Sequence, residues 1–261
     1  MKNISVLHII QQLSGGGAAR SLLATARYSA AMGNFQHRVI SLLPATDSAR
    51  TIAQDANVEI IDTPNKDTLN QNVETADIVQ VHFWNTPELY QLLYSPLPPL
   101  RLLVWAHVGG DKAPQIITPS LVELPDAFLA SSPYTLDIPA IRTLSPAVRA
   151  LKTGMVYDST DFERLSGLEK QSHDTFNVGY VGTVDFVKMH PNFVAMSAAI
   201  DIPDVKFVVC GHGIERYLQQ QAKIYSSANR FQFLGHVEDI KSVIQTFDVF
   251  GYPLCEDNYS T

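Results

Sequence analysis

A run of three glycines near the start of the chain could bind an anion. Gly15, Gly16 and Gly17 follow a predicted strand and precede a predicted helix. Glycines at such a turn let backbone N–H groups approach an anion closely, and the helix dipole favours negative charge there. The loop therefore predicts a phosphate-binding turn, with an ordinary tight turn as the alternative interpretation.

This loop lacks the fingerprint of a dinucleotide site. Counted from Gly15, the pattern G-x-G-x-x-G/A places Arg20 at its last position. The second predicted strand ends in SLLP (41–44), without the acidic residue that would bind a ribose hydroxyl. Both departures argue against an NAD-binding site.

Two histidines and a tryptophan lie where two predicted strands end. His82 and Trp84 occur in VHFW, and His107 occurs in VWAHVGG. Ligands of an open parallel sheet bind at the carboxyl ends of its strands, so these side chains are candidates for substrate contacts. Trp84 offers a flat apolar face to a sugar or a lipid head group. The alternatives are structural hydrogen bonding for the histidines and ordinary packing for the tryptophan.

A lysine in the second half of the chain could neutralise a phosphate. In GYVGTVDFVKMHPN (179–192), a predicted strand ends at Gly182, and Lys188 follows just before a predicted helix. A cation at this place would act on the same anion as the helix dipole. A solvated loop lysine is the alternative.

Elements of an α/β sheet must position these residues. Short β-branched runs alternate with helical patterns, and continuous apolar strands indicate a parallel sheet that is buried on both faces. In the first half, the predicted strands are Ile4–Ile10, Arg38–Leu43, Val58–Ile61, Ile78–Val81, Leu100–His107 and Ala127–Ala130, and the clearest helices are Ala18–Met32 and Pro87–Tyr94.

The same alternation restarts after a polar segment and predicts a second domain. Its predicted elements are strands Phe176–Gly182, Lys206–Gly211, Phe231–Gly235 and Val249–Tyr252, and helices Asn192–Ile200, Ile214–Tyr225 and Asp239–Phe247. We therefore predict two doubly wound, Rossmann-like domains facing a cleft, over residues 1–160 and 176–261, with a linker at 161–175. Four strands are fewer than such a domain usually has, so we expect the second domain to be incomplete.

Composition excludes several classes of partner. Lys plus Arg number 19 against 26 Asp plus Glu, which gives a net charge of −7. Proteins that bind nucleic acid through its phosphates usually carry a surplus of basic residues, so we predict no nucleic-acid partner. The apolar run Ile4–Ile10 is too short to span a bilayer and lacks a signal-peptide cleavage site. Two cysteines suit a reducing compartment. We expect a cytoplasmic protein, and leave open peripheral docking at the inner face of the membrane.

Motifs for metal-dependent and hydrolytic chemistry are absent from the sequence. The eight histidines and two cysteines show no zinc spacing, and neither G-x-S-x-G nor G-x-x-x-x-G-K-[ST] occurs. No metal-binding carboxylate motif is visible either. The sequence therefore predicts no metal and no cofactor.

Taken in order, five segments resemble the GT-B glycosyltransferases of family 4, a retaining group that uses nucleotide sugars. They are VLHIIQQLSGGGAARSLLATARYSAAMG, VWAHVGG, GYVGTVDFVK, KFVVCGHGIE and FQFLGHVEDIKSVIQTFDVFGYP. The resemblance runs along essentially the whole chain. It implies that the first domain holds mainly the acceptor and the second mainly the nucleotide-sugar donor.

The resemblance also implies roles for individual residues. Gly15 and Gly16 match the N-terminal glycine loop near the donor phosphates, and His107 matches the catalytic-site histidine beside the transferred sugar. Lys188 matches the diphosphate-binding lysine of the family's G-R-x-x-x-x-K-G stretch. Val237 lies at the position where members of the family usually contact the nucleobase. We predict that His82 and Trp84, at a strand end of the first domain, bind the acceptor.

Two positions depart from the family pattern. Thr183 stands where the family commonly has arginine, so one diphosphate cation is replaced by a hydroxyl. Glu256 lies near the first of two family glutamates, and the second would fall beyond Thr261. We expect on this basis that the chain is truncated at its C-terminus.

The predicted function is transfer of a sugar, with retention, from a nucleotide-diphosphate sugar to a glycan, lipid-linked or other cell-envelope acceptor. Two alternatives remain. A truncated GT-B protein could bind without catalysis, and a nucleotide-sugar epimerase could use the same fold.

Overall fold

The chain folds as two compact units. The computed structural model describes residues 3–186, 188–237 and 239–251. Unit 1 reaches to Asp161, and unit 2 begins at Phe162. Each unit is built on its own parallel sheet.

Unit 1 is built on a seven-stranded sheet in the order β3-β2-β1-β4-β5-β8-β9, and every neighbouring pair is parallel. A two-stranded antiparallel hairpin, β6-β7, stands apart from it. The strands are β1 Ile4–Gln12, β2 Phe35–Leu43, β3 Glu59–Asp62, β4 Ile78–Phe83, β5 Leu102–Ala106, β6 Asp111–Lys112, β7 Gln115–Ile116, β8 Ala127–Ala130 and β9 Thr153–Met155. The strand order reverses between β1 and β4, which makes the carboxyl ends of these two strands the place where a ligand is expected.

Helices cover both faces of this sheet. They are α1 Gly17–Ala31, α2 Asp47–Asp55, α3 Lys66–Glu74, α4 Pro87–Leu93, α5 Pro119–Glu123, α6 Pro133–Leu136, α7 Pro139–Arg142 and α8 Pro146–Lys152. Odd-numbered residues of β1, such as Leu7 and Ile9, join one apolar cluster, whereas Ile10 packs with Leu22 of α1 in another. Burial on both sides explains why β1 is apolar throughout its middle.

Unit 2 repeats the architecture on a smaller scale. Its parallel sheet has the order β12-β11-β10-β13, so the strand order reverses between β10 and β13. The elements are a 3-10 helix Phe162–Leu165, β10 Phe176–Val181, α9 Phe193–Ala198, β11 Val205–Cys210, α10 Glu215–Ile224, a 3-10 helix Ala228–Arg230, β12 Phe231–Gly235, α11 Ile240–Ile244 and β13 Val249–Phe250. Its core includes Tyr180, Phe193 and Leu218.

The segment predicted as a linker packs onto unit 2. The Lys170 ammonium pairs with the Asp248 carboxylate, and His173 Nε2 lies 2.8 Å from its other oxygen. These contacts, with the Lys170 hydrogen bond contributing most, lower the pKa of Asp248 well below its usual value. The same carboxylate raises the pKa of His173. Residues 166–175 are therefore held to unit 2 by polar contacts.

Strand and helix predictions agree with the structure wherever an apolar run was long. The second strand begins earlier than predicted, at Phe35, because the polar residues Gln36 and His37 separate Phe35 from the apolar run that marks the strand. The sequence analysis missed β9 and the β6–β7 hairpin, whose strands are only two or three residues long. No helix among the described residues has the length and apolarity to cross a membrane.

Candidate functional site

The glycine loop of unit 1 lies between β1 and α1, at the carboxyl edge of the sheet. Gly16 is the N-cap of α1 in an extended conformation, and its own N–H donates to Ser14 Oγ over 3.3 Å. No side chain of the described residues caps the helix itself, and its first turn has no acidic residue. A methyl group on Gly15 would lie 3.2 Å from Ser48 Oγ, so local packing makes only a mild demand for glycine there. The amide end of α1 therefore remains suitable for an anion.

Arg20 is tied to the glycine loop. Its Nε donates to the Gly15 carbonyl oxygen over 2.8 Å, and its backbone N–H donates to the Gly16 carbonyl oxygen over 3.0 Å. Arg20, which departs from the dinucleotide fingerprint, thus stabilises the conformation of the loop. It also places a guanidinium next to the predicted anion site.

Four histidines on neighbouring strands lie in a diagonal row across the sheet of unit 1. Each step crosses to the next strand and advances two residues toward the carboxyl edge. Because side chains alternate along a strand with a period of two, all four rings stand on the same face, the one that α1 covers. This histidine row consists, in order, of His37, His8, His82 and His107.

Hydrogen bonds join the histidine row ring to ring, each from Nδ1 of one residue to Nε2 of the next. The nitrogen–nitrogen distances are 2.9 Å for His37–His8, 3.0 Å for His8–His82 and 2.9 Å for His82–His107. At the end of the row, His107 Nδ1 lies 2.7 Å from Asp158 Oδ1. Both ring nitrogens of every internal histidine are therefore occupied.

The other end of the row reaches α1. His37 Nε2 lies 2.7 Å from Ser29 Oγ, and the same hydroxyl lies 2.6 Å from the Thr25 carbonyl oxygen. Only one proton is available on this hydroxyl, so Ser29 can donate either to Thr25 or to His37.

Burial keeps the middle of the row neutral. Desolvation lowers the pKa of His8 to about 3, and the neighbouring His37 adds to the shift. Burial likewise lowers the pKa of His82 well below its usual value, with smaller contributions from His107 and His8. An imidazolium at His8 or His82 would lose its hydration, and no carboxylate of the described residues contacts either ring.

His107 lies at the predicted edge, but its ring faces into the protein. Its side chain is 1% exposed, and that of Asp158 is 8% exposed. In this arrangement the ring has no nitrogen left for a ligand. The Trp84 ring stacks near it, with centroids 6.5 Å apart and planes at 16°.

The two predicted acceptor residues differ in access. His82 is fully buried within the row, so its ring does not reach a bound molecule directly in this conformation. Trp84 is half-buried and packs against the core from the sheet edge, which leaves part of its surface open. Their assignment to the acceptor remains a prediction.

Gly110, three residues after His107, is required by the backbone. Its φ is +93°, and a methyl group there would lie 2.3 Å from Ile117 Cδ1. The turn into β6 therefore fixes this glycine. A methyl group on Gly109 would make only ordinary van der Waals contacts, at 3.7 Å or more, so glycine is not required there by packing.

In unit 2, the loop after β10 lies at the carboxyl edge, next to the point where the strand order reverses. Gly182 directly follows β10, and Thr183 follows it with its carbonyl oxygen accepting from the Tyr180 hydroxyl over 2.6 Å. Val184 is fully buried and anchors the loop in the core. Thr183 thus stands at the edge on an anchored backbone.

Two glycines after β11 let the neighbouring loop pack tightly on this one. A methyl group on Gly211 would lie 1.8 Å from the Gly182 carbonyl oxygen, and one on Gly213 would lie 2.0 Å from the Val184 carbonyl oxygen. Both glycines also have positive φ, +144° and +152°. The close approach of the two loop backbones therefore explains why glycine occurs at both positions of this turn.

The N-terminus of α10 is already covered by a carboxylate. Glu215 accepts hydrogen bonds from its own N–H and from the Gly213 N–H, and these lower its pKa, with His212 contributing less. His212 Nδ1 lies 3.2 Å from this carboxylate. An anion is therefore better placed at the loop after β10 than at α10.

Lys188 lies in the same edge region, after the Thr183 loop. Its backbone N–H donates to the Asp185 carbonyl oxygen and to Asp185 Oδ1, over 3.2 and 3.1 Å, which fixes the turn that carries it. Val237 is half-buried two residues beyond β12, at the same edge of the sheet. Glu256 lies outside the described residues.

Metal ligation was not predicted. In the described ranges, no group of three or more His, Cys, Asp or Glu side chains has an arrangement that could hold a metal ion.

Asp158, His8 and His37 were not singled out by sequence reasoning. Asp158 lies in the polar segment that separates the two predicted domains, yet its side chain is only 8% exposed. A signal existed for His8, because a polar side chain inside the buried strand VLHII needs a buried hydrogen-bond partner. For His37 and Asp158 the sequence offers no comparable signal.

Comparisons with known proteins point to one group. Residues 175–260 match the family model described as Glycosyl transferases group 1. A comparison with curated proteins yields no match. The chain is similar to Anabaena HepE, solved with UDP and glucose, at 18% identity and a TM-score of 0.69, covering 96% of this chain and 74% of that one.

Two further solved structures are similar in the same way. WaaG, a glycosyltransferase involved in lipopolysaccharide biosynthesis, has a TM-score of 0.56 at 12% identity, covering 96% of this chain and 75% of that one. An α-glucosyltransferase in complex with UDP-glucose and DNA has a TM-score of 0.62 at 10% identity, covering 94% and 70%. These likenesses establish the fold class as GT-B, with parallel α/β sheets in two units.

Proposed function

We propose that this chain is a glycosyltransferase that moves a sugar from a nucleoside-diphosphate sugar to an acceptor hydroxyl, with retention. The observation that carries the proposal is the carboxyl edge of unit 2, where Gly182 and Thr183 directly follow β10 and Lys188 follows five residues after Thr183. The family match over 175–260 spans this edge.

The diphosphate is assigned to the loop after β10. Departure of the nucleoside diphosphate leaves negative charge on its terminal phosphate, and catalysis requires that this charge be stabilised. The Lys188 ammonium supplies a cation, and the Thr183 hydroxyl supplies a hydrogen-bond donor. Val237 is assigned to the nucleobase, and Glu256 to the donor as well.

Unit 1 is assigned to the acceptor and to the transferred sugar. Gly15 and Gly16 offer the uncapped amide end of α1 to the donor phosphates. His107 is assigned to the sugar side, and Trp84 presents an apolar face on which a sugar ring can stack. Because the His107 ring nitrogens are occupied, its backbone carbonyl, rather than its ring, is the group we assign to a sugar hydroxyl.

The donor is proposed to be a UDP-sugar and the acceptor a cell-envelope glycan or lipid-linked precursor. HepE was solved with UDP and glucose, and WaaG is described as involved in lipopolysaccharide biosynthesis. Although one similar enzyme was solved with DNA, the net charge of −7 here argues against a nucleic-acid acceptor. We propose a cytoplasmic location with peripheral contact to the membrane that carries the acceptor.

Calorimetric titration with UDP, GDP and ADP tests the donor site. We expect saturable binding of UDP, weakened at least about tenfold by Lys188→Ala, because a desolvated charge-assisted contact contributes about 1.5–3 kcal/mol. Lys223→Ala is the matched control, since this lysine is exposed on α10 of the same unit. Equal affinity of the parent and Lys188→Ala would refute the assignment.

Product analysis separates transfer from the alternatives. With labelled UDP-glucose, an epimerase converts the sugar in the absence of any acceptor. A transferase releases UDP and places label on an added envelope extract. A protein that binds UDP yet does neither would support the non-catalytic alternative.

A further inference from the structure

While its four rings are neutral, the histidine row has two fully hydrogen-bonded states. Its links run from Ser29 through the four imidazoles to Asp158, five in all, and each needs one proton. A neutral imidazole has one N–H and one acceptor nitrogen, so while all four rings are neutral the direction of one hydrogen bond fixes the direction of all the others.

In the first state Asp158 is a carboxylate, so His107 must donate from Nδ1. A neutral His107 then accepts at Nε2 from His82 Nδ1–H, and the pattern repeats along the row. At the far end His37 Nε2 accepts the Ser29 hydroxyl proton. All four histidines are neutral Nδ1–H tautomers, and no buried nitrogen lacks a partner.

In the second state Asp158 is protonated and donates to His107 Nδ1. Each histidine now carries its proton on Nε2, and His37 donates to Ser29 Oγ. The Ser29 hydroxyl turns to the Thr25 carbonyl oxygen, 2.6 Å away. This state holds one proton more than the first, and again every link is satisfied.

Mixed states are costly. If only part of the row inverted while the rings stayed neutral, one buried link would have two donors or two acceptors facing each other at about 3 Å. A buried donor or acceptor without a partner is strongly disfavoured. An imidazolium at the junction would satisfy both of its links, but burial disfavours the charged form at His8 and His82. At His107, an imidazolium beside the Asp158 carboxylate is the second state with its extra proton moved across that hydrogen bond. The row therefore inverts as a whole.

We propose that the row is a proton relay across unit 1, in which Asp158 sets the tautomer of all four histidines. A proton that enters at Ser29 passes to His37 Nε2, each ring passes its Nδ1 proton to the next ring, and His107 delivers its proton to Asp158. The reverse passage returns one proton to the Ser29 end. His8, His37 and His82 thereby act as positioning residues for His107.

The Ser29 end is within reach of solvent. His37 lines an open depression of about 590 Å³ at the amino edge of the sheet. The charged groups that share this depression with His37 are Arg38 and Glu59. At the other end, the carboxylate that faces His107 is Asp158, and the remaining ring neighbours of the row are Trp84, Trp105 and Phe35.

The test is the ¹⁵N NMR spectrum of the imidazoles in the free protein. At neutral pH we expect His8, His82 and His107 to be neutral and protonated on Nδ1, the tautomer that free imidazoles disfavour. Although His107 belongs to the proposed sugar site, this readout needs no transfer activity. A failed relay and a failed glycosyltransferase proposal can therefore be told apart.

Asp158→Ala tests the coupling. Without the carboxylate, only Ser29 and Thr25 set the direction, so the proton of the distant His37 should move from Nδ1 to Nε2. Asp137→Ala is the control, because this exposed carboxylate lies outside the row. A variant in which only the His107 signals change, or a parent with Nε2–H tautomers at His8 and His82, would overturn the proposal.

A double variant guards against indirect effects. In a His82→Leu background the row is cut, and Asp158→Ala should then leave the His37 tautomer unchanged. If His82→Leu does not fold, the comparison of parent and Asp158→Ala decides the matter alone.

Discussion

Acid should destabilise unit 1 through its buried histidines, and His8 gives the effect a magnitude. Its pKa falls from 6.5 to about 3 on folding. Below pH 6.5 the unfolded chain therefore binds a proton that the folded chain excludes, so stability decreases as pH decreases. Between pH 7 and pH 5 this residue alone removes about 2 kcal/mol of unfolding free energy. His82 acts in the same direction, because burial also lowers its pKa.

Tryptophan fluorescence isolates this effect. The chain has two tryptophans, Trp84 and Trp105, and both lie in unit 1. Urea unfolding followed by their emission at pH 5, 6 and 7 should show a free energy that falls steadily with pH.

His8→Gln removes one titrating group and should make that decline shallower by about 1.2 kcal/mol per pH unit between pH 6 and pH 5. Its lower stability at pH 7, from two lost hydrogen bonds, does not affect the slope. His190→Gln in unit 2 is the control and should leave the slope of the tryptophan transition unchanged. An identical slope in the parent and His8→Gln would refute the reasoning.

Three further outcomes are expected. Gly213→Ala should destabilise unit 2 by about 3 kcal/mol or more, because its methyl group would lie 2.0 Å from the Val184 carbonyl oxygen. Circular dichroism should show this loss, while the unfolding transition of unit 1 followed by tryptophan emission should not change. Burial raises the pKa of the Cys210 thiol to about 11. In a Cys255→Ser background, alkylation of Cys210 at pH 8 should therefore be about 100-fold slower in the folded protein than in the protein unfolded by urea. Equal rates in the two states would contradict the burial of Cys210. A chelator should leave UDP binding unchanged, and a loss of binding would disprove the predicted metal independence.

Long apolar strands explain why the fold could be predicted from the sequence. β1, β10 and β11 are buried on both faces, so their runs of β-branched residues stand out against polar turns. The three-residue strand β9 joins the edge of the sheet through pairing with β8, which is a tertiary contact that leaves no local pattern. Strands of this length depend on their neighbours rather than on their own composition.

The candidate site was only partly predictable for a related reason. Gly15, His107 and Lys188 follow predicted strands, so their place at a sheet edge can be deduced from topology alone. The histidine row depends on strand register, in which each histidine lies two residues beyond the partner of the previous one. Register is set by packing across the whole sheet. The hydrogen bond between His8 and His82 therefore cannot be predicted from the sequence and is seen only in the folded structure.

The central claim is that the edge of unit 2 holds a nucleoside diphosphate. Backbone amide NMR during a titration with UDP tests it most directly. We predict saturating shifts at Gly182, Thr183, Lys188 and Val237, with the amino edge of the same sheet unaffected. Saturable binding that leaves these four amides unshifted, or the absence of any UDP binding by the folded chain, would contradict the account.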